Sequence, residues 1–535
     1  MNNNINCDTK FSRENHLDIS LVLVLLITAL VLSITFFRPN YLSGGLWYKF
    51  HHLSKEDFSF VIKYIFATSF KHFYPLIRML FFVELRLFGL HHNSYYIINI
   101  LIHLTVTGCF YKFLKFHIDD RWAVFFLTLF FSINPAFYPG GIGAGSVYGG
   151  QYTMLAQLFL LIALLSLTRF QTEGGKGPLI ITAIFTILSV FSSGTGLLTP
   201  VVLLLYWLIV PIQWWKKEKV PHNWWVMLAT IIFLGIGVTS VYFFIISREG
   251  IFTKVMPIME SSLPLNIAFY ILAGISSFFF SAFGGKLFNL YFNLYPQQLL
   301  TPSSLPLSSQ ITAVILGAFA LSLIFVVLLY IYKKRKIFFH EIENYSGLMT
   351  FALIYIAATY LIKAIGRVND YSIVGFMGPD HYRYEPFLGL ALFLLPIFHF
   401  FIKSLKPITS NAFRHILVPL CIALLITTSL PLFWANGNEY PQDKDFIKAY
   451  RQLLKGGAEK KPLYLWDINY TFHDEISSSF PLSSIARMDN TNMDRVRFIA
   501  YLQDETYISK ESLIFYYTFF PELRSEINNK IILEQ

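Results

Sequence analysis

The lysines and arginines of this chain cluster in every second gap between its apolar runs. About eleven of those runs are long and apolar enough to cross a bilayer as α-helix, which takes roughly 20 residues. Loops rich in Lys and Arg stay on the cytoplasmic side. The pattern therefore predicts an all-α polytopic membrane protein and gives each loop a side. Only 14% of the 535 residues are charged, against about 25% in a soluble chain. The net charge of +10 does not point to nucleic acid, because the cations sit in short loops rather than along one face. Membrane lipids are the expected surroundings.

The predicted topology runs as follows. Residues 1–18 form a cytoplasmic tail. No small-residue cleavage site follows the first apolar run, so no cleavable signal is expected. The spans are Leu17–Phe37, Tyr95–Phe116, Trp122–Tyr138, Gly150–Thr168, Pro178–Phe191, Leu197–Ile212, Trp224–Ile246, Ile311–Tyr332, Gly347–Ile365, Tyr384–Ile402 and His415–Trp434. Lys112, Lys115, Arg121, Arg169, Lys176, Lys216, Lys217, Lys219, Lys333 to Lys336, Lys403, Lys406 and Arg414 mark the cytoplasmic loops. Pro264–Phe283 fits this alternation as a re-entrant or interfacial segment, which is the favoured reading, or as one arm of a pair of spans. A large first outer loop, 38–94, and the outer turn Ser192–Gly196 face the other side.

Residues 19–434 thus make the membrane domain, and 435–535 a soluble extracytoplasmic domain of small α/β type. In that tail Asp443–Leu454 reads as a helix. Pro462–Ile468, Arg497–Leu502 and Ser512–Phe519 read as strands. Cys7, Cys109 and Cys421 fall in the tail and within spans, so no outer disulfide is expected and no cysteine metal spacing exists. Gly174-Gly175-Lys176-Gly177 lacks the spacing and hydroxyl of a phosphate loop. ATP-driven transport finds no support.

Three outer segments carry the polar chemistry. The first loop holds Glu56, Asp57, Arg78, Glu84, Arg86 and several histidines, and a connection of such length is usually functional. A second segment runs from Arg367 through Asp380, His381, Tyr382, Arg383, Tyr384 and Glu385. A third holds Lys254, Lys286 and the aromatics Tyr291 to Tyr295. Together they describe an outer cavity with acids, bases and aromatic walls. Asn99 and His103, one helical turn apart, read as a polar pair bonded to each other or to a neighbouring helix.

Some of these residues carry a resemblance. Phe73-Tyr74-Pro75-Leu76, Leu87-Phe88-Gly89-Leu90 and Tyr95-Tyr96-Ile97-Ile98-Asn99-Ile100-Leu101-Ile102-His103 resemble the early region of GT-C membrane glycosyltransferases. The similarity is to bacterial relatives of protein O-mannosyltransferases. Asn134-Pro135 and Tyr382-Arg383-Tyr384 with Pro386 fit two later motifs, and the likeness covers about Ser20–Phe400. It implies a GT-C-like fold in a bacterial inner (plasma) membrane. It also implies an inverting transferase that moves a sugar from a polyprenyl-phosphate donor to an envelope glycan, lipid or protein acceptor outside. Such an enzyme needs a carboxylate base for the acceptor hydroxyl and cations for the departing phosphate. By elimination the candidate base is Asp57 or Glu56, the acids between the first span and Phe73, with Glu84 a weaker candidate. The outer segments and these motifs together offer Arg383, Tyr384, His381, Asp380, Arg78, Asn99 and His103 as candidates for lipid-phosphate or substrate binding. The resemblance fixes no cofactor, although a divalent metal is compatible; no metal ligands are assigned.

The chain departs from the family in its polar positions. The acid expected just beyond the first span is absent from Phe37-Arg38-Pro39-Asn40-Tyr41. The Arg before the early Pro is Tyr74, Pro139–Gly145 holds no acid, and a Lys-Glu pair is replaced by Ser193-Gly194. Two other functions therefore stand beside the enzyme: a non-catalytic GT-C-like binder of lipid-linked glycan or a partner, and a transporter or flippase. Sparse intramembrane charge and the lack of an internal repeat count against the last.

Overall fold

A computed structural model describes residues 18–36, 53, 58–67, 73–89, 92–118, 120–133, 147–173, 175–210, 224–248, 267–268, 271, 275, 332–367, 384–405, 463–466, 496–499, 506–508 and 531–533. The helices are α1 Ile19–Phe36, α2 Phe58–Phe66, α3 Pro75–Phe88, α4 His92–His117, α5 Arg121–Ser132 and α6 Val147–Glu173. After them come α7 Lys176–Val190, α8 Thr199–Ile209, α9 Trp224–Arg248, α10 Arg335–Arg367 and α11 Tyr384–Leu405. The 3-10 turn Gly194–Leu198 joins α7 to α8.

Helix ends follow local chemistry. Pro75 opens α3, where its missing N–H costs nothing. Gly89 closes it with φ 55°, a left-handed conformation that glycine adopts without strain. Asp120 caps α5 by accepting from the backbone N–H groups of Trp122 at 3.0 Å and Ala123 at 3.3 Å. The turn 192–198 is tight for a specific reason. A Cβ on Gly196 would stand 1.9 Å from the Ser189 carbonyl oxygen, so only glycine lets the 3-10 turn lie on the end of α7.

Four helical stretches are long and apolar enough to cross a membrane: Ser94–His117, Gln151–Gln171, Trp224–Ile245 and Phe338–Ala364. Large apolar side chains face outward along α9, with Phe233 76% and Trp225 69% exposed. Water-facing surfaces rarely tolerate such a face; lipid does. The described residues make a helical integral membrane protein. Its buried hydroxyls are hidden by local bonding: Thr107, Thr128, Thr168 and Thr186 each donate to the carbonyl four residues back.

The core packs α10 on α11, α6 between α4 and α7, α11 on α5, and α1 across α4 and α5. Contacts at the helix ends show which ends share a side. Lys115 near the end of α4 pairs with Asp18, just before α1, at 3.0 Å. His117 bonds the Tyr206 hydroxyl of α8 at 3.0 Å, which lies 2.9 Å from the Thr168 hydroxyl of α6. His399 near the end of α11 meets Glu341 near the start of α10 at 2.6 Å. Lys112, Lys115, Arg121, Arg169, Lys176 and Lys333 to Lys336 occupy the same ends of their helices. The basic residues therefore gather at one end of the bundle.

Two elements differ from the sequence reading. The helix predicted at Gly347–Ile365 begins twelve residues earlier, at Arg335, and in the added turns Glu341 is buried against His399 while Arg335, Lys336 and Glu343 are exposed. Trp122–Tyr138 is described as helix only to Ser132. Four short strands, β1 Leu463–Trp466, β2 Val496–Ile499, β3 Thr506–Ile508 and β4 Ile531–Leu533, form parallel pairs β1·β2 and β3·β4. Parallel pairing requires crossover connections. Of the segments read as strands, Pro462–Ile468 contains β1, and Arg497–Leu502 overlaps β2, which starts one residue earlier. The runs Ile311–Tyr332 (apart from Tyr332), Pro264–Phe283 (apart from four residues), His415–Trp434, Asp443–Leu454 and Ser512–Phe519 lie outside the described residues.

Candidate functional site

The end of the bundle opposite the basic residues holds two groups of buried polar side chains. The first lies on α2, α3, α4 and α6. Arg78, on the first turn of α3, is fully buried. Its Nη1 donates to the backbone carbonyls of Tyr64 and Ala67 at the C-terminal end of α2, where helix carbonyls run short of intrahelical donors. The Tyr64 and Tyr74 rings lie 4.6 and 4.9 Å from the guanidinium carbon, close enough to hold the cation over their faces. Nε and Nη2 are buried and have no hydrogen-bond partner among the described residues. These two atoms form the edge that Arg offers to a carboxylate or phosphate as a two-pronged fork.

Glu84 sits six residues further along α3, about 9 Å up its axis, and is 2% exposed. Its Oε1 accepts from Gln151 Nε2 on α6 at 2.9 Å. Glu84 Oε2 and Gln151 Oε1 have no partner among the described residues. Burial holds the Glu84 carboxyl far above the usual carboxylate range, at about 8, although the Gln151 hydrogen bond works in the other direction. Tyr95 of α4 is within electrostatic reach of Glu84 and donates its hydroxyl to the Gly89 carbonyl at 2.7 Å. One turn on, Asn99 is fully buried with neither side-chain atom partnered among the described residues.

The second group surrounds the start of α11. His103 Nε2 lies 2.9 Å from the Ser132 carbonyl and Nδ1 lies 2.8 Å from the Tyr384 hydroxyl. A carbonyl only accepts, so Nε2 carries the proton and neutral Nδ1 accepts from Tyr384. Thr28 of α1 donates to the Ser132 hydroxyl at 2.8 Å. The next residue, Glu385, pairs through Oε2 with Lys363 of α10 and accepts at Oε1 from Thr195 at 2.6 Å. Both members of the ion pair are about 4% exposed. Beside them a small cavity is lined by Gln157, Ser189, Thr195, Thr199, Tyr355, Thr359 and Glu385. Tyr355 donates to Gln157 Oε1 at 2.9 Å, and Gln157 Nε2 has no partner among the described residues. Ala156, Leu160, Gly196 and Leu198 complete the lining, and its hydroxyls are engaged within the protein.

The structure brings His103 and Tyr384 into direct contact, buries Arg78, and leaves Asn99 unbonded to His103. Glu385 is engaged by Lys363 and Thr195. Asp57, Glu56, Arg383, His381 and Asp380 lie outside the described residues. Lys363, Gln151, Gln157, Thr195 and Tyr355 were missed. A lysine and two glutamines within apolar runs were the available signal, because intramembrane polar groups are costly unless partnered. Among the described residues no three His, Cys, Asp or Glu side chains converge as metal ligands would. No protein-family model and no curated protein matches this chain.

Proposed function

We propose that the protein is a GT-C-like inverting glycosyltransferase that takes a sugar from a polyprenyl-phosphate donor. The carrying observation is Arg78: a buried guanidinium, clamped by two tyrosines, with its side-on fork unpartnered among the described residues. A phosphate is the group that such a fork fits best in a chain resembling lipid-phosphate-dependent transferases, and Arg383, His381 and Asp380 directly precede the second polar group. In the proposed reaction the acceptor hydroxyl attacks the anomeric carbon as the bond from that carbon to the phosphate oxygen breaks. The base takes the hydroxyl proton, the sugar inverts, and polyprenyl phosphate leaves with its charge held by arginine. Three acids are candidates for the base. Glu84 shares α3 with Arg78 and has a pKa near the working pH, where general bases are most effective. Asp57 and Glu56 precede α2, whose other end Arg78 fastens. Tyr95, Asn99, Gln151 and His103 line the same side as sugar-binding candidates.

The architecture belongs to the proposal too. Eleven spans place the N-terminus and the basic end in the cytoplasm. They place the polar groups and a small α/β domain, 435–535, outside a bacterial inner membrane. The parallel strand pairs in that tail support the domain type. A second reading, a non-catalytic glycan binder, is favoured by one observation: the best-formed acid, Glu385, is fully matched by Lys363 and Thr195.

The test is donor binding. Purified protein in detergent should retain a radiolabelled polyprenyl-phosphate sugar, and Arg78→Ala should abolish retention. Arg78→Lys should weaken it, since lysine keeps the charge and loses the fork. If both variants fold and bind as the parent does, the phosphate assignment is wrong.

A further inference from the structure

At the basic end, the backbone turns at Lys334 between a helical residue pair, Tyr332 and Lys333, and α10. The Phe338 N–H donates to the Lys334 carbonyl at 3.1 Å, so the helix is established from its first turn. Phe338 and Phe339 part company here. Phe338 packs edge-on against Phe400 of α11 with ring centroids 5.1 Å apart. Phe339 stands 63% exposed, and Tyr332 stands 68% exposed. Between them lie Lys333, Arg335 and Lys336, all exposed, with Lys334 half-buried. Arg335 and Phe339 are four residues apart and Lys336 and Phe339 three, so these side chains share a helix face. The Arg335 guanidinium carbon lies 5.2 Å from the Tyr332 ring. Among the described residues no carboxylate pairs with any of the four cations.

Topogenic charge alone needs no flanking aromatics, and an exposed phenylalanine in water is unfavourable. Two outward aromatics bracketing cations that no described carboxylate pairs, at the point where the apolar stretch Phe338–Ala364 begins, match the chemistry of a bilayer surface. There the rings enter the headgroup layer and the cations meet phosphate. We propose that this elbow, formed by Tyr332, Lys333, Lys334, Arg335, Lys336 and Phe339, is a binding site for an anionic phospholipid headgroup. Arg335, oriented by Tyr332, takes the phosphodiester, the lysines supply the excess positive field, and Phe339 inserts beside the acyl chains. The site stands independently of sugar transfer and of which leaflet it faces.

The experiment uses the full chain in nanodiscs of phosphatidylcholine with a minor fraction of phosphatidylglycerol. Detergent extraction follows, and mass spectrometry counts each lipid retained per protein. The parent should retain phosphatidylglycerol in clear excess over phosphatidylcholine. Replacing Lys333, Lys334, Arg335 and Lys336 together with Gln should lower phosphatidylglycerol retention at least about fivefold, the loss expected from even one surface cation. Because those cations also orient the chain, Tyr332→Ala/Phe339→Ala is the control that keeps every charge. It should lower retention about twofold or more, given the modest worth of aromatic and cation–π contacts at exposed sites. Equal retention of the two lipids by the parent overturns the proposal. So does unchanged phosphatidylglycerol retention in the aromatic variant, or in a correctly oriented neutral variant.

Discussion

Replacing Lys363 with Met tests the most tightly built feature of the bundle. The Lys363–Glu385 pair has both side chains about 4% exposed, and among the described residues Glu385 keeps the Thr195 hydroxyl when the ammonium is removed. At the 2.5 Å separation of the pair, attraction at an effective dielectric constant of 20 is about 6–7 kcal/mol before desolvation is subtracted. Desolvation cancels much of this, yet removing one partner from a buried pair still costs about 3–5 kcal/mol, because the remaining charge has no compensation. Lys363→Met and Glu385→Gln should each destabilise by that amount. The double variant, which leaves no charge, should be within about 1–2 kcal/mol of the parent. Reversible denaturant unfolding in fixed micelles, followed by tryptophan fluorescence, measures all four corners of this cycle. Additive single-variant losses, or a Lys363→Met protein within about 1 kcal/mol of the parent, would refute the reasoning.

Glu84 should make stability pH-dependent. Its folded pKa of about 8 lies above the usual 4.5, so the folded state binds the proton more tightly. Stability is fullest below pH 4.5, falls as pH rises from there to about 8, and then levels off. At about 1.4 kcal/mol per unit, the fall has an upper bound of roughly 4–5 kcal/mol, and Glu84→Gln should flatten it in the same unfolding assay. Gly196→Ala should fail to accumulate folded protein, because its Cβ would meet the Ser189 carbonyl oxygen at 1.9 Å; normal yield and melting would contradict the tight turn. Reporter fusions at Lys336 and Gln535 should report opposite sides of the membrane; the same side for both would sink the orientation.

Much of the bundle could be read from the chain because its physics is one-dimensional. Apolar runs bounded by cations specify where a helix enters and leaves a bilayer, and α4, α6, α7 and α9 begin and end within a few residues of the expected positions. Helix starts set by packing were less legible. The first third of α10 mixes charges with apolar residues and so blurs the start of the helix, and Glu341 is buried there against His399 across the helix pair. Site residues divided in the same way. His103 and Arg78 stood out as polar groups in apolar or aromatic stretches. Which partners they find depends on contacts between residues 281 and 14 positions apart, which no local pattern encodes. The Lys363–Glu385 pair shows why: each residue alone reads as a snorkelling charge at a helix end, and only the approach of α10 to α11 makes it a buried pair.

Sugar transfer itself is the most direct test. Purified protein would be incubated with polyprenyl-phosphate sugars and envelope acceptors, and the release of free polyprenyl phosphate would be measured across pH. The account predicts turnover with inversion at the sugar, rate loss in Arg78→Ala, and an activity that rises with pH toward about 8. If Glu84 is the base, that pH limb should disappear in Glu84→Gln with a loss of about 10²–10⁴; a normal Glu84→Gln limb would move the role to Asp57 or Glu56. Bound donor without any release of polyprenyl phosphate would contradict the enzyme and leave the glycan binder in its place.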